Sequence, residues 1–150
     1  MWYNKVVANL ANIPDFIDYY NLELDEARRD VKIAGLVEKS LAGLPGVTEY
    51  RFNQLQEIEA VLEFLNIKLR KVRRTHFQKY LENYQRALSS RDVEKYVDGE
   101  DEVIDMETII NEVALLRNRW LGIMKGLESK NFMLGHITRL RTAGMEDVTV

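Results

Sequence analysis

Cysteine is absent from this chain, which excludes disulfides, thiolate catalysis and cysteine-ligated zinc. Proline occurs twice and glycine eight times in 150 residues, so few sharp turns are available and long helices are expected. No run of about 18 apolar residues occurs, so no ordinary membrane-spanning helix is expected. The opening "MWYNKVVANLANIPDF" lacks a basic start followed by an apolar core and does not read as a secretory signal. An intracellular, cytoplasmic protein is expected. Neither histidine, His76 or His136, has an Asp or Glu three or four residues away, so neither a metal pair nor a catalytic dyad can be built locally. A phosphate-cradling glycine loop and a nucleophile elbow are also missing. The acidic cluster from Glu94 to Glu107 reads as a solvated helix start rather than a cation site. No catalytic residue, metal ligand or cofactor is assigned, and a non-enzymatic protein is expected.

What the chain does contain is helical periodicity. Its length suits one domain, and 46% hydrophobic with 30% charged residues describes a soluble protein. Residues 1–46 read as N-terminal helices. Tyr3, Val6, Val7 and Leu10 share one face of a helix over Trp2 to Ile13. Pro14 then restarts the chain. A second helix is expected from Pro14 to about Ala42, with Phe16, Tyr20, Leu24, Ala27 and Val31 on one face and Gly35 as a weak point. "GLPG", residues 43–46, reads as a loop, and Thr48 as the N-cap of the next helix.

A long basic helix is expected over residues 47–88. Leu55, Ile58, Leu62, Leu65, Leu69 and Val72 step by three and four as a heptad seam, which then drifts onto Phe77, Leu81, Tyr84 and Leu88. About 40 residues at 1.5 Å each give a coiled-coil-like rod of roughly 60 Å. A rod of that length must project or pair. Ser89 or Ser90 is expected to cap a short helix to Tyr96, and Gly99 to break it. A long helix should follow from the acidic "EDEVIDMETI", whose carboxylates suit the positive end of a helix dipole. Its seam reads Val103, Met106, Ile110, Val113, Trp120, Met124 and Leu127. Asn131 is the expected break before a last helix, Phe132 to Arg141, with residues 145–150 as a tail. The fold class is all-α, one helical domain assembling as a homo-oligomer.

The segment "KLRKVRRTHFQKY", residues 68–80, carries six cations in an acidic chain of net charge −3. Lys68, Arg70, Lys71, Arg73, Arg74 and Lys79 have no acidic neighbour between Glu63 and Glu82, and their repulsion costs an isolated helix stability. A second basic set, Arg117, Arg119, Lys125, Lys130, Arg139 and Arg141, is balanced only by Glu128. Three readings fit such a block. It is a solvated face, or it pairs with the acidic "DGEDEVIDMET" of a neighbouring subunit in a helical assembly protein, or it grips a polyanion. Interleaved aromatic residues suit the last, because bases stack on such rings. Phe77 and Tyr84 lie on the seam and read as core, whereas Tyr80 is a candidate stacking residue.

The C-terminal "LESKNFMLGHITRLR", residues 127–141, resembles the end of the UvsY family of phage recombination mediators. Ser129 and Lys130, Phe132, the His136–Ile137 pair and Arg141 carry the match, without a gap. "KYVDGEDEV" is similar to the acidic helix start of marine-phage relatives, and "LRKVRRTHFQKY" to the family's basic segment followed by tyrosines. Asn131 and Gly135 depart from the family pattern, and Tyr80 and Tyr84 are four apart where the family has paired tyrosines. The resemblance implies a ring-like homo-oligomer that binds single-stranded DNA and helps load a recombinase onto DNA covered by single-strand-binding protein. It places Lys68, Arg70, Lys71, Arg73, Arg74, Lys79 and Tyr80 on the DNA, in the cytoplasm of an infected host.

Overall fold

The computed structural model describes residues 1–83 and 88–144, and every regular element among them is helical. The chain runs through α1 (Trp2–Ala8), a 3₁₀ turn (Leu10–Asn12), α2 (Ile13–Val31), α3 (Val37–Asn83), α4 (Ser90–Asp98) and α5 (Asp101–Thr142). None of the described helices is long and apolar enough to cross a membrane.

α3 and α5 dominate. At 47 and 42 residues they extend about 70 and 63 Å and pack antiparallel along their lengths. The rod expected to project or pair thus finds a partner of similar length in its own chain. Leu55, Ile58, Val61, Leu62 and Leu65 of α3 are buried against α5, which contributes Val113, Leu116, Trp120, Ile123 and Leu127. Leu116 fills the step between Val113 and Trp120 in the expected seam.

α2 completes a three-helix bundle by burying Phe16, Tyr20, Leu24 and Ala27. It runs parallel to α5 and antiparallel to α3: Tyr20 meets Trp120 with ring centroids 5.8 Å apart, and its hydroxyl donates to Glu57 at 2.6 Å. α1 lies across α3, where Tyr3 meets Phe64 edge-on. Val6 is buried, while Val7 faces solvent.

Several helix boundaries differ from expectation, the first helix ending at Ala8 instead of Ile13. α2 stops at Val31 instead of continuing toward Ala42, and Gly35 reverses the chain at φ +74°, a conformation that favours glycine. "GLPG" is not a loop but lies within α3, with Pro45 inside the helix. A proline there costs about 3 kcal/mol against alanine. Leu41, Leu44 and Val47, however, hold helical spacing against the core, and that burial outweighs the local preference. Thr48 therefore caps nothing. Asn131 breaks nothing either: Leu127, Leu134 and Ile137 stay buried on one face of a continuous α5.

Beyond the bundle, the distal halves of the hairpin form a smaller core. Val93 and Val97 of α4 and Val103 of α5 are buried, with Leu69, Val72, Phe77, Tyr80 and Leu88 packed around them. Ser89 caps α4, its hydroxyl accepting from the Asp92 amide at 3.2 Å. The expected continuation of the rod through Tyr84 lies outside the described residues; the helix is unbroken to Asn83.

Candidate nucleic-acid interface

The basic block occupies the distal third of α3, where helical geometry sorts its residues onto two faces. Leu69, Val72, Arg73, His76 and Tyr80 turn toward α4 and the start of α5. Arg70, Lys71 and Arg74 fall within about 100° of arc on the opposite side, flanked by Lys68 and Lys79. Lys71, Arg74 and Lys79 are exposed, and none has a carboxylate at ion-pair distance among the described residues. Arg70 reaches Glu63 at 3.4 Å with both side chains largely in water, a pairing of little energetic weight. Lys68 is half-buried, its ammonium 5.6 Å from the Phe64 ring centroid.

Six uncompensated cations is thus too many. Arg73 is held by Asp98 at 2.6 Å and by Glu107 at 3.7 Å. His76, whose side chain is only 14% exposed, meets Glu102 through Nε2 at 2.9 Å, and its Nδ1 faces Glu100 at 3.8 Å. The physical reason is topological. α4 turns the chain back so that the acidic start of α5 lies along the basic helix. For Arg73 and His76, the pairing that the assembly reading would put between subunits is made within one chain.

Tyr80 is engaged as well. Its hydroxyl donates to Glu100, and its ring stacks on Tyr96 at 5.4 Å and 23°. Glu100 stands at the N-cap of α5 without making a side-chain cap, because its carboxylate is turned to Tyr80 and His76. Phe77 packs into the small core, as its seam position predicts; Tyr84 lies outside the described residues.

The second basic set does not extend this track. Because α5 runs antiparallel to α3, Arg139 and Arg141 lie at the far end of the hairpin, more than 30 residues along α5 from Glu107, or about 50 Å. Lys130 has a structural role, donating to the backbone carbonyl of Asp30 at 2.7 Å where α2 ends. Arg117 is half-buried and donates to Asn118 at 3.0 Å. Arg119, Lys125, Arg139 and Arg141 are exposed but spread around the helix.

Sequence reasoning missed Arg51, which is 5% exposed and paired with Glu23 at 3.0 Å, Asp30 at 2.7 Å and the Gln54 side chain at 2.9 Å. A signal was present, since Arg51 and Gln54 fall at the spacing of the seam that continues to Leu55 and Ile58. An open groove of about 750 Å³ lies nearby between the first half of α3 and α5, lined by Leu41, Leu44, Phe52, Leu121 and Met124 with Glu49 and Lys125 at its rim. Set against known proteins, the chain matches no family model, no curated protein and no solved structure.

Proposed function

We propose that this chain is a non-enzymatic single-stranded-DNA-binding protein that acts as a recombination mediator, helping to load a recombinase onto DNA covered by single-strand-binding protein. The observation that carries the DNA-binding part is the outward face of α3, where Lys71, Arg74 and Lys79 are exposed without carboxylate partners among the described residues. Cations left unpaired on a helix gain by neutralising phosphates, which releases condensed counterions. The mediator part rests on the resemblance of residues 127–141. Assembly into a homo-oligomer belongs to the same proposal, with the apolar groove around Phe52 and Leu121 as the surface a second copy would cover.

The test uses Lys71→Glu/Arg74→Glu, because both side chains are exposed and neither is in an ion pair among the described residues. Binding to oligo-dT should weaken steeply with salt in the unaltered chain, by about 0.7 in log–log slope per phosphate contact, and be lost in the double variant. Helicity and sedimentation should not change. A chain that binds no oligo-dT at low salt, or a double variant that dissociates an oligomer, would favour the assembly reading instead.

A further inference from the structure

The inner face of the basic helix and the acidic turn opposite it match each other in an unusual way. Arg73, His76 and Tyr80 present a guanidinium, an imidazole and a phenol along one side of α3. Facing them, Asp98, Glu100, Glu102 and Glu107 supply carboxylates at 2.6 to 3.8 Å from Arg73 and His76, and Tyr96 supplies a ring stacked on Tyr80. From Asp98 to Leu116 the chain has no lysine or arginine. A row of anions with an aromatic ring beside it has the chemistry of a single strand, with carboxylates in place of phosphates and Tyr96 in place of a base.

We propose that the turn joining α4 to α5 is an internal mimic of single-stranded nucleic acid, which occupies Arg73, His76 and Tyr80 and lowers the affinity of the basic helix until a real strand displaces it. This rests on the DNA-binding reading above. The outer cations Lys71, Arg74 and Lys79 make the first contact, and the inner three residues join only when the acidic turn gives way. Two features make displacement feasible. The carboxylates of Asp98, Glu102 and Glu107 are half or more exposed, so water and salt weaken their hold. The turn is seated by a small core whose fully buried members are three valines. A site occupied by its own chain binds with an affinity reduced by the fraction left open.

The experiment compares Asp98→Asn/Glu102→Gln with Asp18→Asn/Glu26→Gln. The second pair removes the same charge from exposed positions on α2, so any difference is local. The turn variant should bind oligo-dT about 3- to 10-fold more tightly than the α2 variant at equal salt, the gain expected from freeing one or two exposed ion pairs. Its salt slope should also be steeper, by about 0.7 for each cation released to a phosphate. Equal affinity in the two variants overturns the proposal while leaving DNA binding intact. Failure of the unaltered chain and both variants to bind at low salt removes the DNA reading and this proposal with it. Hydrogen exchange on the unaltered chain gives a readout that needs no substitution. Adding oligo-dT should speed exchange of α4 amides near Val93 and Val97, and unchanged or slower exchange there counts against displacement.

Discussion

The two ends of the α3–α5 hairpin solve the same problem differently. Each places an arginine of α3 between two carboxylates from other helices. At the bundle end Arg51 is almost wholly enclosed, against Glu23 and Asp30 whose side chains are 18% and 29% exposed, and Gln54 shares Glu23 with it through a 3.0 Å bond. At the distal end Arg73 is 32% exposed, and Asp98 and Glu107 are 62% and 50% exposed. Geometry alone does not separate them, since both arginines have contacts below 3 Å. Hydration does. The first network is part of the core, and its members are lost together. The second is a surface contact that salt or a competing anion can replace.

Arg51→Ala should therefore produce the largest effect. It leaves two poorly hydrated carboxylates without their cation and removes a partner of Gln54. Breaking a fully buried pair costs about 3–5 kcal/mol. The loss here should lie at or just below the lower end of that range, because Glu23 and Asp30 keep some contact with water, and it is read as a fall in the urea midpoint of the whole chain. Arg73→Ala should cost no more than about 1 kcal/mol, and added salt should erase most of that difference. Equal losses from the two substitutions would dissolve the distinction between the ends.

The tyrosines sharpen it. Tyr20, 3% exposed, donates to Glu57 at 2.6 Å, and Glu57 also accepts from the Tyr3 amide at 3.4 Å. Burial, and then the bond to Glu57, push the Tyr20 phenol above its ordinary value of 10.0. The fold therefore favours the protonated phenol. That contribution is fully present below about pH 10 and is lost as pH climbs beyond it, because a phenolate would face the Glu57 carboxylate. Tyr20→Phe should cost about 1.5 kcal/mol at neutral pH, and its stability should fall less steeply than that of the unaltered chain between pH 10 and 11.5. A difference that stays constant across that range would show that the phenol does not titrate with unfolding.

How much of this could be read from the sequence depends on whether the cause is local. The seam from Leu55 to Leu65 was legible, because helical periodicity and burial report the same thing. So were the break at Gly99 and the cap at Ser89, each set by one residue and its neighbours, whereas Gly35 was legible only as a weak point in a helix that in fact ends at Val31. "GLPG" misled because its turn preference is local, whereas the burial of Leu41 and Leu44 against α5 depends on a helix about 80 residues away. The engagement of Arg73, His76 and Tyr80 was hidden for the same reason. Their partners are 16 to 34 residues distant, and only the return of the chain through α4 brings them close. Charge sorting was visible in the sequence, but the face on which each charge would fall was not.

The smallest expected effect concerns glycine, and here the two ends differ again. At Gly126 of α5, an added Cβ would lie 2.7 Å from Cγ1 and 3.1 Å from Cγ2 of Val31, the last residue of α2. Valine cannot simply swing aside, being stiff at χ1. The end of α2 must move, at about 1–3 kcal/mol for such overpacking. Alanine returns about 0.8–1 kcal/mol of helix propensity over glycine, so Gly126→Ala should lose roughly 1 kcal/mol net. Gly122, on the same helix with no atom within 4 Å of an added Cβ, receives the propensity gain without the clash. Gly122→Ala should raise the urea midpoint. At the distal end, Gly99 has negative φ and only ordinary contacts, at 3.7 and 3.8 Å, and Gly99→Ala should change stability by less than about 0.5 kcal/mol. A Gly126→Ala variant as stable as Gly122→Ala would mean that α2 yields without cost. The close packing that separates the rigid bundle from the loosely held tip would then not extend to the end of α2.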